Sequence, residues 1–181
     1  MNNIQNYSDV RFRYVAVGND VNPNKGNSEY VSSLLPAMRN LHSAVTAAGL
    51  GNQIKVLTAI YGGLLGVSFL PSDGAFNDNA REFIEPIIRF LAENNSPMLV
   101  NIYTYFAYAN ANGNSNLPYA LFTASGTIVK YNGRQYFNLF DIILDDIYAA
   151  LASLGGENVE IVVSESGWPS AGDDAATTRN A

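Results

Sequence analysis

The 181 residues contain no cysteine. This excludes disulfides, thiolate metal sites and cysteine nucleophiles, and leaves the compartment open. Histidine occurs once, as His42, within a helical pattern. With no G-x-S-x-G segment either, a serine–histidine triad is not expected, and His42 reads as a packing or surface residue. Charge is scarce as well: charged residues make up 14% of the chain and its formal charge is −6. No Lys/Arg run occurs, which excludes nucleic acid as a partner. No apolar run approaches the ~18 residues of a membrane-spanning helix. Residues 1–6 have neither the basic start nor the apolar stretch of a signal peptide. The acidic residues Asp141, Asp145 and Asp146 read as a solvated helix face, so no metal site is expected.

What remains is apolar and aromatic. Hydrophobic residues make up 48%, with 11 Tyr, 9 Phe and one Trp. That is enough for one globular domain over 1–181 with a real core, and the aromatic rings suit a neutral ligand. Apolar patterning predicts strands over 10–18, 54–60, 97–103 and from 159 onward. Helices are predicted over 28–48, regular from Pro36, over 78–94, and from a cap at Asn138 to 154. The glycine-rich stretch 61–66 lacks the Lys-Ser/Thr of a phosphate loop and reads as plain loop. Segment 109–116 also reads as a loop, residues 128–137 as a hairpin turning at Asn132-Gly133, and 175–181 as the start of another helix. Strand and helix alternate throughout, which implies parallel strands with right-handed crossovers. No G-x-G-x-x-G follows the first strand, which weighs against a dinucleotide fold. Polar and aromatic clusters follow the strand ends, where (β/α)8 barrels keep their chemistry. A whole barrel needs roughly 250 residues, so the fold expected is a partial one.

Two carboxylates stand at strand ends, Asp20 after the first strand and Glu165 after the last. Paired carboxylates facing a cleft are the equipment of glycoside hydrolysis, one protonating the leaving oxygen and the other attacking carbon. Asn19 precedes Asp20 and can hydrogen-bond a sugar hydroxyl. Trp168 follows Glu165, and Tyr103, Tyr105, Phe106 and Tyr108 cluster beyond the third strand. Rings of this kind serve core packing or a sugar platform, and the sequence leaves both open.

Three segments then resemble one family: Arg13-Tyr14-Val15-Ala16-Val17-Gly18-Asn19-Asp20, Asn101-Ile102-Tyr103-Thr104-Tyr105-Phe106 and Val163-Ser164-Glu165-Ser166-Gly167-Trp168-Pro169-Ser170. They are similar to the plant β-1,3-glucanases of glycoside hydrolase family 17. The resemblance implies a (β/α)8 barrel, of which this chain would supply about strands 4 to 7. It implies retaining hydrolysis of internal β-1,3-glucosidic bonds without a cofactor, on a β-1,3-glucan substrate, in the cell wall or the vacuole. Glu165 matches the nucleophile and Asp20 the position of the general acid. Asn19, Asn101, Tyr103, Tyr105, Phe106 and Trp168 fall among the substrate-binding residues. Two departures stand out. The family reads Gly-Asn-Glu where this chain has Gly18-Asn19-Asp20, and Thr104 replaces a usual proline. An open half-barrel is also expected to self-associate through its edges.

Overall fold

The structure, a computed structural model, describes residues 2–7, 9–24, 26–67, 71–111 and 116–181. In chain order the elements are α1 (Asn2–Gln5), β1 (Tyr14–Asn19), α2 (Val31–Ala47), β2 (Lys55–Tyr61), β3 (Leu65–Val67), β4 (Ala75–Phe76), α3 (Asp78–Glu93), β5 (Met98–Asn101), α4 (Thr104–Asn110), α5 (Leu117–Ala120), β6 (Val129–Tyr131), β7 (Arg134–Tyr136), α6 (Leu139–Ala152) and β8 (Ile161–Glu165). The main sheet runs β1-β2-β5-β8 with every pair parallel. α2, α3 and α6 cover it and share its core, in which Met38, Val45, Leu57, Ile84, Ile87, Ile88, Val100 and Leu151 are fully buried. The sheet does not close, so β1 and β8 are its edges.

Several elements differ from their sequence reading. β1 begins at Tyr14 instead of residue 10, because its only partner, β2, begins at Lys55, whose N–H bonds to the Arg13 carbonyl at 2.9 Å. β8 reads from sequence as buried on both faces, yet it is only half-buried, with Val163 38% exposed. It lies at the sheet edge, and patterning cannot distinguish an edge from a centre. α2 extends back to Val31, so Pro36 lies inside the helix rather than in its first turn. The donor it removes would have met the carbonyl of Ser32, an exposed residue, where water can substitute. Pro86 sits within α3 in the same way, four residues after exposed Glu82.

The stretch read as plain loop, 61–66, instead contributes a 3₁₀ turn and β3, which pairs antiparallel with β4. The aromatic stretch after β5 folds into α4, which runs to Asn110; of the predicted loop 109–116, residues 112–115 lie outside the described residues. Residues 175–181 form turns and no helix. The hairpin forms as read, with Asn132 at φ 47° and Gly133 at φ 78°, the left-handed pair that a two-residue hairpin turn requires. Asn138 caps α6, its side chain accepting from Asp141 N–H at 2.8 Å. His42 packs edge-on against Phe90 with centroids 5.7 Å apart.

The acidic face of α6 needs correction. Asp141 is exposed, and Asp145 pairs with Arg134 and Tyr136. Asp146 is 0% exposed, and among the described residues neither of its oxygens has a hydrogen-bond partner. The turn before β4 covers it: at Gly74 a side chain would collide with the Asp146 backbone carbonyl, so only glycine lets the segments close. Burial, and secondarily the charge of Asp145, push the Asp146 carboxyl up to about 6. Among the described residues no group of three acidic, histidine or cysteine side chains could hold a metal ion.

Candidate active site

Parallel strands bring their C-terminal ends to one rim, and β1, β5 and β8 each deliver a polar residue there. In register, Asn101 of β5 lies opposite Glu165 of β8. At the end of β1 the backbone turns sharply, with Gly18 at φ 70° and Asp20 at φ 52°. Gly18 is also confined by Leu34 Cδ1, 3.0 Å from where a Cβ would lie. Asp20 is pinned from both sides: its N–H donates to Ala59 O at 3.1 Å, and its carbonyl accepts from Asn27 Nδ2 at 3.0 Å.

The side chains then connect across the rim. Asn19 Nδ2 donates to Glu165 Oε1 at 3.0 Å, and the Tyr103 hydroxyl donates to Oε2 at 2.9 Å. Each Glu165 oxygen is thus oriented by one donor and keeps lone-pair capacity for an electrophile. Asn101 Nδ2 donates to Asn19 Oδ1 at 2.9 Å and to Asp20 Oδ1 at 3.1 Å. Ser164 Oγ donates to Asn101 Oδ1 at 2.6 Å. Asp20, Asn101, Asn19 and Glu165 therefore form one hydrogen-bonded relay. The Glu165 hydrogen bond, then burial, then the charges of Glu165 and Asp20 hold the Tyr103 phenol above its usual range, so it stays a donor.

Beside the relay runs a wall of rings. Tyr103 meets Phe106 at 5.7 Å, Phe106 meets Tyr105 at 5.3 Å, and Trp168 meets Tyr105 at 5.2 Å and Tyr108 at 5.8 Å. Most of these contacts are edge-to-face, the favoured geometry for aromatic pairs. Phe106 is 59% exposed, so the wall presents a face to solvent as well as a packed interior. Trp168 donates Nε1–H to Ala175 O at 2.8 Å, which fixes its ring but spends its only polar group. The Tyr105 hydroxyl bonds to Asp173, whose carboxylate also accepts from Ala175 N and Ala176 N. The tyrosine hydroxyl first, and then these amides, hold the Asp173 carboxyl below its usual range.

All eight site residues named from sequence thus lie in one connected cluster. Ser164 and Asp173 were missed. A serine beside a strand-end carboxylate carries no distinctive spacing, and the contact of Asp173 depends on a turn that brings the chain back to Tyr105.

The model of the glycosyl hydrolases family 17 matches residues 1–181. The chain belongs to that family. A glucan endo-1,3-beta-glucosidase of Vitis vinifera is 57% identical over 99% of this chain and 53% of its own length. A basic vacuolar isoform from Nicotiana plumbaginifolia is 51% identical over 97% of this chain and 48% of its own. Among solved structures, one of two plant beta-glucan endohydrolases with distinct substrate specificities aligns with TM-score 0.92 at 47% identity, covering 99% of this chain and 57% of that one. CJP38, a beta-1,3-glucanase and allergen of Cryptomeria japonica pollen, aligns with TM-score 0.94 at 42% identity, covering 99% and 56%. The chain spans about half the length of the curated relatives it matches. Its open parallel sheet and covering helices are therefore a partial family 17 barrel. No helix among the described residues is long and apolar enough to cross a membrane.

Proposed function

We propose that residues 1–181 form a single domain that carries the catalytic carboxylates of a retaining endo-β-1,3-glucanase. Asp20 protonates the glycosidic oxygen as the bond from that oxygen to the anomeric carbon breaks. Glu165 attacks the anomeric carbon and forms a glycosyl ester. Water, deprotonated by the Asp20 carboxylate, then releases the sugar and restores Glu165. Asn19 and Asn101 bind sugar hydroxyls, and Tyr103, Tyr105, Phe106 and Trp168 supply the platform. The observation that carries this reading is the relay itself: three strands converge on Glu165 and Asp20 and join them through two asparagine amides. The vacuole or the cell wall is the expected site of action, in keeping with the vacuolar isoforms among its relatives.

A second reading, glucan binding with little hydrolysis, is favoured by one feature. Relative to glutamate, Asp20 withdraws its carboxyl by about 1.5 Å, and its Oδ1 is held back by Asn101. Misplacement of about 1 Å can cost on the order of 10²-fold in rate.

Reducing-sugar release from a soluble β-1,3-glucan distinguishes the two. Glu165→Gln is expected to abolish release, and surviving activity would remove Glu165 as nucleophile. Asp20→Glu is expected to raise release about tenfold or more, most clearly when the chain is completed with the remainder of the grapevine relative. No gain there would show that the shorter arm does not limit catalysis.

A further inference from the structure

We infer that the chain carries a second carbohydrate site outside the cleft, in the pocket between α6, the β6–β7 hairpin and the turn at Pro71–Asp73, and that its ligand is a segment of neutral β-glucan. The assignment of the ligand to β-glucan rests on the reading of the cleft given above. The pocket is an open depression of about 560 Å³, within the size range of small-ligand sites. None of its lining residues belongs to the cleft.

Its chemistry matches a sugar in three respects. First, its charges balance. Arg134 pairs with Asp145, so the pocket offers no net field to attract an anion or a cation. Second, donors and acceptors alternate. Asp145 Oδ2 receives both Arg134 and the Tyr136 hydroxyl, the latter at 2.7 Å, which leaves Oδ1 to accept. The guanidinium retains further N–H groups to donate beside it. Vicinal sugar hydroxyls, each both donor and acceptor, fit such a pair. Asn132, at the left-handed hairpin turn, is also among the lining residues. Third, three tyrosines, Tyr131, Tyr136 and Tyr148, line the space. Tyr131 is fixed through a 2.7 Å bond between its hydroxyl and Ser72 Oγ, and Tyr148 is 41% exposed. Rings of this kind cover the apolar C–H faces of a pyranose. A site here would hold one stretch of polysaccharide while the cleft works on another.

Affinity electrophoresis tests it, with chain 1–181 in the Glu165→Gln background run through native gels containing a soluble β-1,3-glucan or, as control, an α-1,4-glucan. Tyr148→Ala removes a ring. Ala149→Gln fills the pocket from α6 with a good helix former, so folding is preserved even if the tyrosine variant is impaired. Each is expected to weaken retardation in the β-glucan gel about fivefold. Tyr105→Ala, in the cleft, should weaken it independently. Retardation in both pocket variants equal to that of their parent overturns the proposal, as does a parent that is not retarded. Equal retardation in the α-glucan gel overturns the assignment to β-glucan. Retardation lost only in the pocket variants, with no sugar released by the unsubstituted chain, upholds this site and overturns the hydrolase reading.

Discussion

The Asn101 side-chain amide makes three side-chain hydrogen bonds. Its carbonyl end accepts from Ser164, and its amino end donates to both Asn19 and Asp20. The two oxygens facing its amino end, Asn19 Oδ1 and Asp20 Oδ1, fix the direction of the amide, and the serine hydroxyl, able to donate or accept, anchors its other end. With Ser164→Ala, Asn101 Oδ1 loses its donor and the amide is anchored from its amino end alone. Glucan hydrolysis is expected to fall about tenfold, the worth of one net hydrogen bond, mainly in kcat, while Ser164→Thr restores most of it. Unchanged kcat in the alanine variant would mean that the strands alone hold the amide. The same reasoning explains why single residues at the rim were legible in the sequence but their connections were not. Asp20 and Glu165 stand out as carboxylates at strand ends, whereas the bond from Asn19 to Glu165 spans 146 positions and exists only because parallel pairing returns the chain to the same rim.

At the level of elements, α6 shows where periodicity stops being informative. Its caps and apolar face were readable, but Asp145 and Asp146 were not separable, because the burial of Asp146 is imposed by the distant turn at Gly74. Patterning alone did not mark β1 and β8 as edges either; the partial-barrel resemblance did. The buried carboxyl has a thermodynamic consequence. Its folded value of about 6 lies above the ordinary 3.8, so the folded state binds a proton that the unfolded state releases. Its contribution is therefore fully present below pH 3.8 and is lost as pH rises through about 6. The amount lost is on the order of 3 kcal/mol at most. Asp146→Asn removes the titration. Its Tm should exceed that of the parent at pH 7.5, with the gap narrowing below pH 5. A gap that does not depend on pH would show that Asp146 is solvated in the folded protein.

At the level of the molecule, β1 and β8 form the edges of the four-stranded sheet. β1 exposes Tyr14 and β8 exposes Val163, each beside unpaired backbone groups, and such edges recruit other strands. Sedimentation of the purified chain is expected to show concentration-dependent association, and Ala16→Lys, which places a charge on the exposed face of β1, should reduce it. A monomer at all concentrations would show that the edges are protected. The strand order β1-β2-β5-β8 has a further consequence, in time rather than in space. Each strand of this sheet pairs with the sheet strand that precedes it in the chain, so during synthesis these four strands add in one direction. Glu165 arrives on the last of these strands, after Asn19, Asp20 and Asn101 are already in place. The Glu165 carboxylate thus joins donors that earlier segments of the chain already present.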